Sequence, residues 1–198
     1  MEQPDGRARL AEAIGRLVPL TAAESARFVD GHVTARYEKK ELLLQAGEVC
    51  DFEAFVVKGC LRIYFIDEAG RTVTMFFAPE NWWAADLASF TQRMPSRFFI
   101  EAVEPTEVLM IRYAKKEELF AGIPKLERAF RLTVQRHLSA LQDRFIQVLS
   151  ATAEVCYADF LVKYPTLSGR IPQTLIASYV GITPEFLSKL RARMSRGA

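Results

Sequence analysis

Residues 171–194 read IPQTLIASYVGITPEFLSKLRARM, and the rest of the chain is interpreted outward from this stretch. Its apolar residues recur at helical spacing up to Gly181, a residue that easily adopts the left-handed conformation of a helix end. Thr183 can cap a second helix, with Pro184 at its first position and Glu185 in its first turn. Two short helices joined by a glycine turn predict a helix-turn-helix, whose second helix enters the DNA major groove.

The second helix is expected to run to about Arg193 and to bury Phe186, Leu187 and Leu190. A plain packing pair of helices would show the same pattern, so the charge distribution decides between the two interpretations. From Arg170 onward the chain has five basic residues and one acid, a balance of +4, whereas the whole chain carries +2. A basic tail on a slightly acidic body favours contact with DNA phosphates.

Composition excludes several other classes of protein. Half of the 198 residues are hydrophobic, which is enough for a real core, yet no apolar run has the length of a membrane span and no signal peptide is evident. We therefore expect a cytoplasmic protein. Three widely spaced cysteines and two histidines argue against a disulfide framework, an iron–sulfur cluster and a metal centre, so neither a metal nor an enzymatic activity is predicted.

The region from Val33 to about Arg112 is rich in β-forming residues interrupted by turn signals, among them Asp67-Glu68-Ala69-Gly70. This pattern of short β-forming runs predicts a closed or sandwiched antiparallel roll. Before it, residues 7–18 are amphipathic, and Thr21 with Glu24 resembles a capping box. The predicted strands are Leu42–Leu44, Phe52–Val57, Leu61–Ile66, Thr72–Phe77, Phe98–Val103 and Val108–Ile111.

After Pro124 the apolar period becomes helical and continues through Leu149. One stripe has heptad spacing and predicts a dimer interface made of Val134, Leu138, Leu141, Phe145 and Val148. A second stripe, with Phe130, Leu132, Ile146 and Leu149, is expected to face the body of the same subunit. A buried core helix is the alternative interpretation, because the stripe covers little more than two heptads. A further helix is expected at Ala153–Tyr164, followed by the short link Leu167-Ser168-Gly169.

This order of elements resembles the Crp/Fnr family of bacterial transcription regulators over nearly the whole chain. The roll segment GEVCDFEAFVVKGCLRIYFIDEAGRTVTMFFAPENWW looks like the family's cyclic-nucleotide-binding fold, and IASYVGITPEFLSKLR is similar to its helix-turn-helix, especially in the branch common in Bacteroidetes. The resemblance implies an α+β chain with a β-roll of the double-stranded β-helix or jelly-roll type at residues 1–123. It further implies a long dimerisation helix at 124–150 and a helix-turn-helix domain at 151–198, without an evident wing.

The effector pocket that the resemblance implies is altered in this chain. Cyclic-AMP-binding members use a Gly-Glu pair for the ribose and an Arg-Ser pair for the phosphate, whereas this chain has Ala85-Asp86 and Ser96-Arg97. A one-residue slip turns a strand side chain to the opposite face, so we expect no cyclic AMP and no defined cofactor. The roll either holds a different small effector or is filled by its own side chains. The corresponding pocket residues are Met75, Phe77, Asp86, Leu87, Ser96, Arg97 and Ser139.

For DNA, the family's reading positions fall on Thr183, Pro184, Glu185, Ser188 and Lys189, and we assign Ser178, Arg191, Arg193 and Arg196 to phosphates. We therefore expect a homodimeric regulator that binds palindromic double-stranded DNA, with RNA polymerase as a further partner. Two alternatives stay open. One is a cyclic-nucleotide-dependent activator, and the other is a small-molecule-binding or interaction module that does not read DNA.

Overall fold

The computed structural model describes the backbone of residues 5–196 and the side chains of residues 5–194. The described part is an α+β structure, as the sequence predicts. Its elements in chain order are α1 (Gly6–Gly15), α2 (Ala22–Asp30), β1 (Val33–Tyr37), β2 (Leu42–Leu44), β3 (Phe52–Lys58), β4 (Leu61–Ile66), β5 (Thr72–Ala78), β6 (Trp83–Ala84), α3 (Leu87–Gln92), β7 (Phe99–Ala102), β8 (Thr106–Arg112), α4 (Tyr113–Gly122), α5 (Lys125–Ser150), α6 (Ala153–Lys163), α7 (Gln173–Val180) and α8 (Pro184–Arg196).

Contacts divide the chain into two compact units. The first consists of the described residues up to Ile63 together with Phe77–Arg136, and the second consists of Tyr64–Phe76 together with the described residues from His137 onward. The tip of the β4–β5 hairpin therefore belongs to the same unit as α6, α7 and α8. The long helix α5 contributes its first half to one unit and its second half to the other.

The strands form two four-stranded sheets with the orders β1-β8-β3-β6 and β2-β7-β4-β5. Their recorded pairings are antiparallel, with Phe55 of β3 opposite Leu109 of β8, which confirms the predicted roll. Gly59 follows β3 with φ of +89°, and a Cβ atom there would lie 2.6 Å from the carbonyl oxygen of Pro105. Glycine is therefore required at this turn. Sequence analysis did not place β1, β6, α3 or α4.

The two N-terminal helices begin where their sequence signals lie. The Thr21 hydroxyl accepts a hydrogen bond from the Glu24 amide at 3.2 Å, while the Thr21 amide donates to the Glu24 carboxylate at 2.8 Å. The predicted capping box is therefore present. The buried faces of α1 and α2 join a core cluster with one sheet and the start of α5, made of residues such as Leu10, Ile14, Phe28, Phe55, Leu109, Leu119, Leu126 and Phe130.

The long helix α5 has 26 residues and carries the predicted heptad stripe on its surface. The five stripe residues Val134, Leu138, Leu141, Phe145 and Val148 are between 40% and 63% exposed. The predicted second stripe is wrong in its C-terminal part, because Ile146 is 61% and Leu149 is 70% exposed, whereas Phe130 is buried. The inward side of this half of the helix is instead formed by the partly buried residues Arg144 and Gln147, which contact α7 and α6.

The helix-turn-helix has the predicted form in its backbone. Gly181 ends α7 with φ of +86°, and its amide bonds the carbonyl of Ala177. The Thr183 hydroxyl accepts a hydrogen bond from the Phe186 amide at 3.2 Å, as expected of an N-cap. The link before this motif, Leu167–Gly169, is a single turn of 3₁₀ helix.

No helix in residues 5–196 is long and apolar enough to cross a membrane. Within the same range, no three His, Cys, Asp or Glu side chains lie close enough together to hold a metal ion.

His32 is buried in the first unit beside Phe28, whose ring centroid lies 4.7 Å away, and near Trp83 at 6.0 Å. Its Nδ1 lies 2.9 Å from the carbonyl oxygen of Phe28, which can only accept, so Nδ1 carries the proton. Among the described residues, Nε2 has no hydrogen-bond partner. Protonating this nitrogen would place a charge among aromatic rings, and burial accordingly lowers the pKa of His32 to about 4.

Stability should therefore fall with acidification from pH 7 to pH 5. In the unfolded chain His32 binds a proton near the ordinary histidine pKa of 6.5, whereas in the folded chain it does so only near 4, so acid favours unfolding across this window. The linkage predicts a loss of about 2 kcal/mol at pH 5, measured by urea unfolding. A His32→Phe variant should lose correspondingly less over the same range. Parallel losses in both proteins would contradict the assignment.

Candidate DNA-binding surface and effector pocket

The second helix of the helix-turn-helix, α8, has one buried side and a wide exposed side. Leu187 and Leu190 are 0% and 1% exposed, and they anchor the helix in the second unit. Glu185 and Lys189 lie one turn apart on the exposed side. Hydrogen bonds from its own backbone amide and with the Thr183 hydroxyl lower the pKa of Glu185. The carboxylate therefore stays ionised. At the start of the helix its negative charge interacts favourably with the helix dipole.

Phe186 does not belong to the inner face, contrary to the sequence prediction. It is 41% exposed, because its position lies to one side of the row formed by Leu187 and Leu190. The guanidinium of Arg193, two turns later, lies 6.0 Å from the centroid of the Phe186 ring. Arg193 also forms an ion pair with Glu154 of α6 at 3.1 Å. This predicted phosphate contact is therefore engaged with an acid of its own subunit.

Ser188 and Arg191 are also exposed on α8. With Pro184 they line a cleft of about 460 Å³ whose other wall comes from α6 and the start of α7, including Tyr157, Leu161 and Gln173. Gln173 was not among the residues that the sequence indicated. Its Nε2 donates to the carbonyl of Ser168 at 3.3 Å, while its Oε1 is buried without a hydrogen-bond partner among the described residues.

Ser178 was predicted to contact a phosphate, but its hydroxyl is engaged inside the protein. It donates to the carbonyl oxygen of Thr72 at 2.7 Å and accepts from the amide of Thr74 at 3.0 Å. Both partners belong to β5 in the same unit. A phosphate contact of Ser178 stays a prediction, because spacing along a helix shows which side a residue occupies, but not which distant segment covers that side. The side chain of Arg196 lies outside the described residues.

Arg144 connects α5 to α7 and was not singled out by the sequence. One of its guanidinium nitrogens donates to the carbonyl oxygen of Tyr179, and the group lies 4.1 Å from the centroid of the Tyr179 ring. Gln147, one turn later on α5, donates to Asp159 of α6 at 2.5 Å. The second half of α5 is therefore fastened to both α6 and α7. No local sequence signal could have shown these contacts.

In the first unit, Asp86 and Ser96 of the expected effector site are hydrogen-bonded to each other. Asp86 is 6% exposed and caps α3 by accepting hydrogen bonds from the Ala88 and Ser89 amides. Its other oxygen accepts a hydrogen bond from the Ser96 hydroxyl at 2.7 Å. Ser96 is buried and also accepts from the Phe98 amide at 3.0 Å, whereas Arg97 is exposed. The polar groups of this corner are therefore satisfied within the chain.

The other expected pocket residues lie in different settings. Phe77 is fully buried, and Leu87 at the start of α3 is 36% exposed. Met75 is partly buried on β5, while Ser139 is exposed on α5, and both belong to the second unit. A pocket that combines residues of both units stays a prediction.

A buried ion pair connects α3, α4, α5 and the sheet in the first unit. The Lys116 ammonium lies 2.7 Å from Glu53, and the two side chains are 10% and 6% exposed. The same ammonium lies 4.2 Å from the centroid of the Phe130 ring on α5 and 5.0 Å from that of Phe90 on α3. Burial raises the pKa of Glu53, and the charge of Lys116 opposes this rise.

Several known proteins are similar to this chain in sequence or in fold. Residues 34–122 match the cyclic nucleotide-binding domain family. The cAMP-activated global transcriptional regulator CRP of Pasteurella multocida is 26% identical over 141 residues, which cover 71% of this chain and 61% of that protein. CRP of Escherichia coli O6:H1 is 25% identical over 142 residues, covering 71% and 60%. The match thus spans less than two thirds of the length of these relatives.

Several solved structures have a fold similar to that of this chain. The c-di-GMP responsive global regulator CLP of Xanthomonas campestris has a TM-score of 0.73 at 13% identity, covering 89% of this chain and 93% of that one. A protein of the Crp/Fnr family from Eubacterium rectale has a TM-score of 0.69 at 17% identity, covering 92% and 88%. The chain is therefore similar to proteins of the Crp/Fnr family in sequence and in fold. The fold prediction is confirmed and the matches support the resemblance to the family, whereas membership of the Bacteroidetes branch stays a prediction.

Removing only one partner of the buried ion pair should be strongly destabilising. Lys116→Met leaves the Glu53 carboxylate buried without its counter-ion, at an expected cost of about 3–5 kcal/mol in urea unfolding. Adding Glu53→Gln should restore much of this loss, because the uncompensated charge disappears. Lys115→Met is a matched control. Among the described residues this exposed neighbour forms its ion pair with Glu118 on the surface, so the cost should stay below about 1 kcal/mol. Equal effects of the two lysine variants would contradict the role of Lys116.

Proposed function

We propose that this protein is a sequence-specific DNA-binding transcription regulator that acts as a homodimer, with α8 in the major groove. The observation that carries the proposal is the division of α8 into an anchored side, formed by Leu187 and Leu190, and an exposed side with Glu185 and Lys189. A helix fixed in this way can present side chains to base edges without rearranging.

Glu185 and Lys189 are the proposed base-reading residues. Lys189 can donate to O6 or N7 of a guanine, and Glu185 can accept from the N4 amine of a cytosine. Each contact contributes about 1–3 kcal/mol of discrimination between bases. Thr183, Pro184, Ser188 and Arg191 frame this pair at the start and on the flank of α8. Arg191 and, after release from Glu154, Arg193 are proposed to meet phosphates.

The proposed dimer forms through the exposed stripe of α5. Its five apolar residues repeat at heptad spacing and leave an apolar surface open on one side of the helix. A two-fold axis along this stripe would place two copies of α8 in successive major grooves about 34 Å apart. We accordingly propose an effector domain at residues 1–123, a dimerisation helix at 124–150 and a DNA-binding domain at 151–198.

We further propose that DNA binding does not require a cyclic nucleotide. A cyclic phosphate needs a cationic or multiply donating partner, but Ser96 offers one hydroxyl, which is already bound to the Asp86 carboxylate. An anion placed here would also face the negative charge of Asp86. The match to the cyclic nucleotide-binding domain family favours the second candidate function, a nucleotide-dependent activator. A different small effector is compatible with either candidate.

Selection from a random DNA pool tests the main proposal. Purified protein without added ligand, at about 0.15 M salt, should enrich a palindrome whose half-sites lie about one helical turn apart. Lys189→Ala should weaken binding to this site by roughly 5- to 150-fold and relax the base preference at one position in each half-site. Absence of any enrichment, with and without cell extract, would reject DNA reading.

Two substitutions on α5 test the proposed dimer, one within the stripe and one beside it as a control. Leu141→Arg places a charge in the proposed seam, while Gln142→Arg adds the same charge to the neighbouring exposed position. The first variant should sediment as a monomer and lose the preference for paired half-sites, and the second should stay dimeric. A Leu141→Arg protein that remains dimeric would exclude this seam as the interface.

Cyclic nucleotide dependence is tested on the selected site. Gel shifts with and without about 1 mM cyclic AMP should give the same affinity, and calorimetry should detect no saturable nucleotide binding. Ser96→Ala should leave DNA binding in the absence of nucleotide within a few-fold of the wild type. DNA binding that appears only after nucleotide is added would instead establish the second candidate function.

A further inference from the structure

The hydroxyl of Ser178 joins α7 to the β4–β5 hairpin through three hydrogen bonds. It donates to the Thr72 carbonyl at 2.7 Å, accepts from the Thr74 amide at 3.0 Å and lies 3.1 Å from the Thr74 hydroxyl. Since its own hydrogen goes to the carbonyl, the Thr74 hydroxyl is the donor in the third contact. One donation and two acceptances use the full capacity of a serine side chain.

The position of β5 explains why a single hydroxyl can hold the hairpin. β5 is the last strand of its sheet, so one side of its backbone lacks a neighbouring strand. The Thr72 carbonyl and the Thr74 amide, two residues apart, point to the same side of the strand, as the groups that bond a next strand do. Ser178 satisfies both groups in place of such a strand. Thr74 is only 1% exposed, so this edge is covered.

The β4–β5 hairpin is held in shape by hydrogen bonds within its own turn. Its turn is closed by Asp67, whose carboxylate accepts hydrogen bonds from the amides of Ala69 and Arg71 at 3.0 and 2.8 Å. A further hydrogen bond comes from the Arg71 guanidinium at 2.8 Å. Hydrogen bonds from the Arg71 backbone and side chain lower the pKa of Asp67, so its carboxylate stays ionised and can accept these bonds at neutral pH.

On α7, the residue after Ser178 is held from another direction. The guanidinium of Arg144 on α5 lies over the Tyr179 ring and donates to the Tyr179 carbonyl. The first helix of the helix-turn-helix is thus fastened to α5 and to the hairpin at consecutive residues. Neither contact covers the exposed side of α8, where Glu185 and Lys189 lie, so the docked hairpin leaves the proposed base-reading residues accessible.

We propose that Ser178 is a positioning residue, and that the β4–β5 hairpin orients the helix-turn-helix for DNA through its hydroxyl. The inference rests on the proposed function and specifies how the orientation of α8 is maintained. With the hairpin docked, α7 and therefore α8 occupy one orientation relative to the second half of α5. Without this contact, the helix-turn-helix samples several orientations, and DNA affinity falls by the fraction of molecules that are no longer correctly oriented.

Amide hydrogen exchange tests the docking without any DNA. The Thr74 amide should be protected in the wild type and should exchange at least several-fold faster in Ser178→Ala, because its acceptor is removed. Thr174→Ala removes a hydroxyl from an exposed position of the same helix and should leave Thr74 unchanged. An unprotected Thr74 amide in the wild type would overturn the docking itself.

A double-mutant cycle tests the effect on DNA affinity. Ser178→Ala and Thr74→Val should each weaken binding to the selected site by roughly 2- to 10-fold, as expected for the loss of one or more hydrogen bonds. The double variant should be hardly weaker than Ser178→Ala, because both substitutions break the same contact. Thr72→Val is the matched control, since only the backbone carbonyl of Thr72 meets Ser178, and its affinity should equal that of the wild type.

Two results would overturn the proposal. If Ser178→Ala weakens binding while Thr74→Val does not, the serine acts on DNA directly. If either variant binds more tightly, the hairpin restrains the helix-turn-helix instead of orienting it. Failure of the wild type to bind any selected DNA rejects the proposed function instead, and the exchange experiment then still decides whether the docking exists. Thr74→Val nearly conserves side-chain volume, so the cycle stays informative if Ser178→Ala folds poorly.

Discussion

The first unit depends on a cation buried among aromatic rings. Lys116 brings together the sheet through Glu53, α3 through Phe90 and the start of α5 through Phe130. Isolated charges are costly in such surroundings, so the ammonium and the carboxylate are stable there only together. This requirement fixes α4 against the sheet and the base of the long helix against α4.

Two serine hydroxyls lie at positions where the sequence analysis considered phosphate binding and are bound within the chain instead. Ser96 binds the Asp86 carboxylate at the expected effector site, and Ser178 binds the edge of β5 beside the helix-turn-helix. In both cases the hydroxyl is hydrogen-bonded to groups of the same chain. Contacts that an effector or a DNA backbone would complete are thus already made internally. This pattern agrees with a regulator whose DNA-binding form does not depend on a cyclic nucleotide.

Much of the fold was predictable because its signals are local. The capping box of Thr21 and Glu24, the turn at Gly181 and the heptad period of α5 each depend on residues within a few positions of one another. The missed elements lack such signals: β6 has two residues, and β1 becomes a strand only through pairing with β8. Phe186, Ile146 and Leu149 were misplaced for a related reason, since apolar periodicity indicates a helix face but not whether another element covers it.

The sequence by itself predicted the resemblance to the family, the β-roll between helical segments, and the exposed positions of Glu185 and Lys189, since these follow from local spacing and motif. Only the tertiary structure decided which of the candidate site residues are available. Ser178, Arg193 and Asp86 are each engaged by a partner distant in sequence: Thr72, Glu154 and Ser96. A side chain's type limits what it can bind, but its partner is chosen by the segments that folding brings within hydrogen-bond distance.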